Sequence, residues 1–245
     1  MPVGERESAI ARLLDLAPGG FEEIDDGDEL ELAAYVDAPG EAVIRAEFPD
    51  ATATIVEPGW EDRWREFHRP AWAGGVWLGP PWVPPPTGAP TVVIDPGRAF
   101  GTGAHPTTRL CIELLAGLGQ RGSLLDVGCG SGVLSIAGAR LGFGPIVAID
   151  DDPVAVEVTR ENAVANGAVV ETRLVDALRD ALPKADVAVA NVLLAPVEAI
   201  LTRLDAAAAV TSGYLAGEVP AHPGWERAAT TELDGWAADL FVAIQ

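Results

Sequence analysis

Apolar residues follow two alternating patterns from position 91 to the end of the chain. Short runs of consecutive apolar residues have the length of buried strands, and between them apolar residues recur every three or four positions, as on one face of a helix. Strands that alternate with helices predict a parallel sheet covered on both faces. The predicted strands are 91–94, 124–127, 146–149, 169–175, 187–190 and 207–212, and the predicted helices are 108–118, 132–141, 154–166 and 196–204.

The end of the chain departs from this alternation. Two runs, 225–231 and 236–244, flank the dipeptide Asp234-Gly235, which is typical of a tight hairpin turn. The sequence therefore predicts an α/β fold in which a mostly parallel sheet has an antiparallel last strand.

The first 58 residues predict a small α+β domain. Apolar positions at Ile10, Leu13 and Leu14 favour an amphipathic helix over 7–16. Alternating segments predict strands at 21–24, 29–36 and 52–56, and a helix is predicted at 41–47.

Tryptophan and proline dominate the next segment. Five tryptophans lie between positions 60 and 82, and the run Pro84-Pro85-Pro86 favours an extended backbone. We therefore predict three parts: a small acidic domain at 1–58, a Trp/Pro-rich linker at 59–90 and a main domain at 91–245.

Acidic residues are concentrated near the start of the chain. The whole chain has a net charge of −21, and residues 1–66 hold 18 acids against 5 arginines. Such a field opposes direct binding to nucleic acid and favours a basic macromolecular partner. Acidic surfaces also aid solubility or suit a salt-rich habitat, so charge alone leaves these alternatives open.

Composition argues against several classes of protein. No apolar stretch reaches the roughly 20 residues that a membrane helix needs, and the N-terminus lacks the basic and apolar regions of a secretory signal. Cys111 and Cys129 are the two cysteines and do not have metal-ligand spacing. We therefore expect a cytoplasmic protein with no membrane partner and no metal site.

A glycine-rich turn follows the predicted strand 124–127. Gly128, Gly130 and Gly132 are spaced G-x-G-x-G, and Asp126 stands two residues before the first of them. Dinucleotide sites use G-x-G-x-x-G and bind a pyrophosphate at the helix N-terminus. A carboxylate at Asp126 would repel a phosphate but suits a cationic cofactor. The pattern therefore favours S-adenosyl-L-methionine, although a glycine turn alone is also common as plain structure.

Polar residues follow three further strands, whose carboxyl ends meet at one edge of the sheet. Asp150 is expected to accept both ribose hydroxyls, while Asp151 or Asp152 caps the next helix. Asp176 is expected to accept from the adenine amine, with a helix cap as the alternative. Asn191 is expected beside the transferable methyl group, with a turn residue as the alternative.

Several motifs together resemble one family. They are FGTGAHPTT at 100–108, ANVLLAP at 190–196, the Trp-rich linker with HRP at 68–70 and PPW at 80–82, Ser212-Gly213, and Gly235-Trp236. In this combination, residues 60–245 resemble the methyltransferases that act on the bacterial large-subunit ribosomal protein L11. The resemblance implies a Rossmann-like class I methyltransferase sheet preceded by a small substrate-recognition domain.

The resemblance also implies an activity and a set of site residues. The activity is transfer of methyl groups from S-adenosyl-L-methionine to lysine side chains and the N-terminal α-amine of that ribosomal protein. The residues implied to hold the cofactor are Thr107, Thr108, Gly128, Asp150 and Asn191, with Phe100 closing over it. The family's recognition domain begins with a strand, whereas six residues precede Glu7 here, so that strand is expected to be absent or displaced.

Methyl transfer to an amine is an in-line displacement that depends mostly on positioning. The oxygen of Asn191 and neighbouring carbonyls suffice to orient the amine, and His105 is a candidate base with a structural role as its alternative. A nucleic-acid or small-molecule methyltransferase is disfavoured, because Val192, Leu193 and Leu194 stand in place of the two prolines and the aromatic that stack on a planar target. Another basic protein substrate, and a catalytically silent cofactor-binding module, remain alternatives.

Overall fold

The computed structural model describes residues 12–13, 16, 21–25, 30–34, 36, 38–53, 69–95, 103–119 and 121–244. Contacts divide the chain into two compact units, Met1–Glu61 and Asp62–Gln245. The division into parts at 1–58, 59–90 and 91–245 stays a prediction. None of the helices in the described ranges has the length and apolar character that a bilayer crossing demands.

The first unit contains a strand pair and a helix. Strand β1 (Phe21–Asp25) pairs antiparallel with β2 (Leu30–Ala34), and helix α1 (Ala38–Glu47) follows. These elements confirm the predicted ones at 21–24, 29–36 and 41–47, with ends shifted by a few residues. Arg45 and Glu41 form an exposed ion pair within α1, and such a pair contributes about 0–1 kcal/mol to the free energy of unfolding.

Two further predictions for this unit are tested only in part. Arg12, Leu13 and Leu16 are helical, as predicted for 7–16, and the rest of that helix lies outside the described residues. The predicted strand 52–56 is not formed at Thr52 and Ala53, and its remaining residues lie outside the described ranges.

The second unit is built on a seven-stranded sheet with the order β11-β12-β10-β9-β6-β7-β8. Its strands are β6 (Leu124–Val127), β7 (Ile146–Asp150), β8 (Glu171–Leu174), β9 (Val187–Asn191), β10 (Ala208–Leu215), β11 (Trp225–Leu233) and β12 (Trp236–Ala243). Neighbouring strands are parallel except where β12 pairs antiparallel with β10 and β11. The predicted α/β fold is therefore confirmed, including its antiparallel end.

Helices cover both faces of this sheet. They are α2 (Pro106–Gly117), α3 (Val133–Arg140), α4 (Pro153–Ala165) and α5 (Leu194–Leu201). Successive residues of a strand point to opposite faces. Leu124 accordingly joins a buried cluster with residues of α2 and α3, and Leu125 joins a second cluster with residues of α5.

A small second sheet joins two strands of the segment predicted as a linker to the predicted strand 91–94, which is therefore not part of the seven-stranded sheet. Strands β3 (Ala71–Ala73) and β4 (Val76–Gly79) pair with each other, and β4 pairs with β5 (Thr91–Val93). Val76 and Leu78 are buried in the same cluster as α2 and α3. At the turn between β3 and β4, a Cβ added to Gly74 would lie 2.6 Å from Ala116 Cβ of α2. Residues 71–79 are thus a packed part of the second unit.

The predicted hairpin at the end of the chain is also confirmed. Leu233 pairs with Trp236 across the turn, and both turn residues have positive φ, 50° at Asp234 and 81° at Gly235. This is the turn geometry that aspartate followed by glycine favours, because its twist matches that of the paired strands.

Candidate functional site

The predicted site residues lie where four neighbouring parallel strands end. Strand β6 ends just before Gly128, β7 ends at Asp150, β8 ends two residues before Asp176, and β9 ends at Asn191. Because these strands are parallel neighbours, their carboxyl ends form one edge of the sheet. The structure therefore brings these residues to the edge where open α/β sheets bind ligands.

The glycine turn has a backbone that other residues adopt only with strain. The φ angles are 72° at Gly128, 54° at Gly130 and 78° at Gly132. A Cβ at Gly128 would also lie 2.7 Å from Cγ1 of Val192, the residue after Asn191. Glycine at this position is thus required both by backbone geometry and by close packing.

Two residues of α4 donate hydrogen bonds to backbone carbonyls of this turn, and the sequence analysis did not identify them. Thr159 donates a hydrogen bond from its hydroxyl to the Gly130 carbonyl at 3.0 Å, and Asn162 donates from Nδ2 to the Ser131 carbonyl at 2.9 Å. Their spacing could have indicated a shared role, because residues three positions apart lie on the same face of a helix, and these two stand beside the buried apolar residues of α4.

Asp126 lies beneath the turn with its side chain fully buried. Its Oδ2 accepts from the backbone N–H and hydroxyl of Ser135 in the first turn of α3, at 3.0 and 2.6 Å. The N-cap of that helix, Gly132, has no side chain to do this. A carboxylate therefore already occupies the helix end at which a dinucleotide would place its phosphates.

Burial perturbs the acidity of Asp126. Desolvation raises the pKa of this carboxyl from 3.8 to about 6, and the charge of Asp150 adds to the rise, although the Ser135 hydrogen bonds oppose it. The second oxygen, Oδ1, has no hydrogen-bond partner in the protein. This unpaired buried oxygen suits a site that receives positive charge, and direct contact of Asp126 with a cofactor stays a prediction.

The raised pKa predicts a pH-dependent effect of Asp126→Asn in the ligand-free protein. With a folded-state pKa above the unfolded value, ionisation of Asp126 lowers stability as pH rises from about 4 to about 6. The free energy of unfolding of the variant, measured relative to the unmodified chain, should therefore rise by about 2 kcal/mol between pH 4 and 7. Denaturant titration across this range measures the difference, and a constant difference would contradict the raised pKa.

Asp150 is half-buried at the end of β7. Its Oδ2 accepts from the Gly130 N–H at 3.0 Å, and its Oδ1 accepts from the Asp152 N–H at 3.0 Å. Asp152 caps α4 by accepting from the Val154 N–H at 2.8 Å, which confirms the predicted cap in this acidic run. A carboxylate has about four acceptor positions, so Asp150 retains capacity for a diol.

Asp176 follows β8 and holds a turn together. Its Oδ1 accepts from the Leu178 N–H at 2.9 Å, and its Oδ2 lies 3.4 Å from the Arg179 guanidinium. The residues that follow form a turn and not a helix, so the helix cap named as the alternative is not formed. Contact of Asp176 with an adenine amine stays a prediction.

Asn191 faces the start of helix α2. Its Nδ2 donates to the hydroxyl of Thr108 at 3.3 Å, across 83 positions of sequence. Thr107 and Thr108 are both buried in the first turn of that helix. Contact of the Asn191 side-chain oxygen with an incoming amine stays a prediction. Phe100, which was predicted to close over the cofactor, lies outside the described residues.

His105 is the N-cap of helix α2. Its Nδ1 accepts from the Thr107 N–H at 3.4 Å and lies 2.8 Å from the Thr107 hydroxyl. The ring also packs edge-on against Trp236, with centroids 5.0 Å apart. These contacts correspond to the structural alternative for His105.

The donor set fits a cationic cofactor without phosphates better than a metal or a dinucleotide. The edge combines acceptor carboxylates, a glycine turn and an asparagine, and the nearest helix N-terminus is closed by Asp126. In the described part of the chain, no group of three or more His, Cys, Asp or Glu could hold a metal ion.

Comparisons with known proteins agree with one another. The family model described as "Ribosomal protein L11 methyltransferase (PrmA)" matches residues 26–217. A protein named ribosomal protein L11 methyltransferase from Geobacter metallireducens is 38% identical over 179 residues, which cover 69% of this chain and 58% of that protein. One of the same name from Azotobacter vinelandii is 44% identical over 198 residues, covering 74% of this chain and 67% of that protein.

The fold is also shared with a solved structure. The crystal structure of a ribosomal protein L11 methylase from Lactobacillus delbrueckii subsp. bulgaricus aligns with a TM-score of 0.62 at 24% sequence identity, covering 70% of this chain and 96% of that one. The chain spans between 36% and 67% of the length of the curated relatives compared with it.

Proposed function

Because the chain belongs to the ribosomal protein L11 methyltransferase family, we propose that it transfers methyl groups from S-adenosyl-L-methionine to amines of ribosomal protein L11. The amines are lysine side chains and the N-terminal α-amine. The observation that supports this proposal is the Asn191–Thr108 hydrogen bond, which joins the end of β9 to the first turn of α2 at the sheet edge that carries the glycine turn.

Residues on several elements of the site would hold the cofactor. Gly128 and Gly130 let the backbone approach its methionine part, and Asp150 accepts from its ribose hydroxyls. Thr107 and Thr108 line the opposite side at the start of α2. Asp126 contributes negative charge from beneath the turn, and Asp176 and Phe100 complete the proposed set at the adenine and over the cofactor.

The residues of the chain then act mainly by positioning. S-adenosyl-L-methionine, when bound, supplies a methyl group on a positively charged sulfur. The oxygen of Asn191 accepts a hydrogen bond from the incoming amine and holds its lone pair in line with that methyl. Such alignment of reactants accounts for much of the acceleration that enzymes achieve. The amine must arrive neutral, and the positive charge of the bound sulfonium together with partial desolvation would lower the pKa of a lysine.

The residues after Asn191 favour a flexible aliphatic target over a planar one. Leu193 is 73% exposed at the same edge of the sheet, directly beyond Asn191 and Val192. An exposed leucine can pack against the methylene chain of a lysine, whereas a base or a planar amide requires an aromatic partner for stacking. This observation argues against the nucleic-acid and small-molecule alternatives.

A direct test uses purified L11, free ribosomal RNA and isotopically labelled S-adenosyl-L-methionine. We expect label in L11 and none in RNA, and mass spectrometry should place the methyl groups on amines. Lys184 is the only lysine of the chain, so self-labelling at lysine gives a minimal background. Cofactor binding without transfer to L11 would favour the catalytically silent module, and transfer to a different basic protein would favour that alternative.

We further propose that residues 1–58 dock the basic substrate, in the cytoplasm where ribosomal proteins are made. Charge complementarity acts mainly on the encounter rate and is screened beyond about 10 Å at 0.1 M salt. With L11 below saturation, the initial rate should therefore fall by about tenfold between low and moderate salt. Cofactor affinity, measured by calorimetry over the same range, should stay nearly constant.

Two matched double variants of the full chain, each replacing two glutamates by glutamine, test which unit causes the salt dependence of the rate. Glu22→Gln with Glu23→Gln should weaken the salt dependence, whereas Glu226→Gln with Glu232→Gln, both exposed on β11, should not. A truncation at residue 90 is unsuitable, because it would remove β3 and β4 from the core of the second unit. Equal salt dependence of both variants would contradict docking by the first unit.

A further inference from the structure

Val192, the residue directly after Asn191, packs against two glycines, Gly128 in the turn after β6 and Gly213 in β10. Its N–H donates to the Ser212 carbonyl at 3.0 Å. A Cβ added to Gly213 in β10 would lie 2.1 Å from the Val192 carbonyl oxygen and 2.6 Å from its carbonyl carbon. On the side-chain side, the Cβ of a residue replacing Gly128 would meet Val192 Cγ1 at 2.7 Å.

Gly213 cannot move away from the Val192 backbone, because Ser212 and Tyr214 on either side of it are held by hydrogen bonds. The register between β10 and β12 shifts between Ser212 and Tyr214, which makes Gly213 the bulged residue. Ser212 donates from its hydroxyl to the Ala237 carbonyl at 2.7 Å, and Tyr214 donates to Asp239 Oδ2 at 2.9 Å. Both side chains are buried. The bulge is therefore anchored on both flanks.

We propose that Gly213 is a positioning residue, whose bulge in β10 fixes the Val192 backbone and thereby aims the Asn191 side chain at the incoming amine. The effect on catalysis rests on the proposed methyl transfer. The contact with Val192 explains why the fold leaves room for no side chain at 213, where φ is +104°. A displacement of about 1 Å at a reacting group can cost on the order of a hundredfold in rate.

Gly213→Ala tests this inference with a matched control. We expect kcat to fall by at least about tenfold, while the dissociation constant of S-adenosyl-L-methionine stays within about threefold, since the nearest atoms to a new Cβ all belong to the Val192 backbone. Gly217→Ala is the control, because Gly217 also has positive φ, +90°, but a Cβ there would meet nothing within 4 Å. Equal kcat in Gly213→Ala and the unmodified chain would overturn the proposal.

A second pair of variants separates backbone contact from side-chain contact. The new Cβ in Gly128→Ala would clash with the Val192 side chain. Adding Val192→Ala should therefore recover part of the turnover that Gly128→Ala loses. The Gly213→Ala clash is with backbone atoms, so Val192→Ala should not recover it. If Gly213→Ala does not fold, Ser212→Ala loosens the same bulge and should lower kcat by about threefold with cofactor affinity kept. Recovery of Gly213→Ala by Val192→Ala, or an unchanged kcat in Ser212→Ala, would contradict the proposal.

A readout without turnover keeps this inference separate from the proposed function. The chain contains three asparagines and two glutamines, so its side-chain amide NMR signals are few. The Asn191 signal, assigned by its loss in Asn191→Asp, should shift in Gly213→Ala and stay in place in Gly217→Ala. Absence of methyl transfer in the unmodified chain would refute the function, whereas an unmoved Asn191 signal would refute the positioning.

Discussion

Asn191→Ala is expected to lower kcat by at least about a hundredfold while leaving the affinity for S-adenosyl-L-methionine nearly unchanged. The Asn191 side chain donates to Thr108 through Nδ2, and we propose that its oxygen accepts from the incoming nitrogen. An interaction made mainly with the reacting amine is lost from kcat and kcat/KM together, whereas the cofactor keeps its contacts with the glycine turn. Steady-state kinetics with L11 and calorimetry with the cofactor measure the two effects.

Thr108→Val is the matched variant for this experiment. Valine keeps the shape of the buried threonine but cannot accept the Asn191 hydrogen bond, so the amide is present but less well oriented. We therefore expect a loss of kcat smaller than that of Asn191→Ala. Unchanged turnover in Asn191→Ala would instead show that the asparagine is a turn residue at the end of β9.

The sheet and the residues at its edge were predictable because their signals are local. Buried parallel strands read as apolar runs, and each run ends at a polar residue or glycine that the pattern marks directly, as at Gly128, Asp150 and Asn191. The hairpin turn at Asp234-Gly235 is likewise encoded by two adjacent residues. For these elements, sequence neighbours carry the information that the structure uses.

Other features depend on contacts that no local pattern contains. Strands β3 and β4 are short and are separated by Gly74-Gly75, so they lack the alternation that marks a strand, and their packing on α2 stabilises them. Thr159 and Asn162 support the glycine turn through bonds that span about thirty positions. The burial of Asp126 could have been predicted from the sequence, because the two-residue alternation of a strand places its side chain on the same face as the buried Leu124.

Asp150→Ala is expected to weaken binding of S-adenosyl-L-methionine and of its demethylated product by about 1–3 kcal/mol, which is roughly a 5- to 150-fold increase in the dissociation constant. The substitution removes the carboxylate that we propose accepts from both ribose hydroxyls. It also removes the acceptor of the Gly130 N–H, so the glycine turn loses a restraint. Both effects act on the cofactor, and binding of nicotinamide dinucleotides should be undetectable throughout because the Asp126 carboxylate lies at the N-terminus of α3.

Asp152→Ala separates cofactor binding from general damage to this segment. Asp152 caps α4, so its loss should lower the free energy of unfolding by about 0.5–2 kcal/mol. Its carboxylate bonds the Val154 N–H, so cofactor affinity should be unchanged. Calorimetry with the demethylated product and thermal unfolding of both variants provide the two measurements. If Asp150→Ala binds the cofactor as tightly as the unmodified chain, or if a nicotinamide dinucleotide binds tightly, the assignment of this edge to S-adenosyl-L-methionine is wrong.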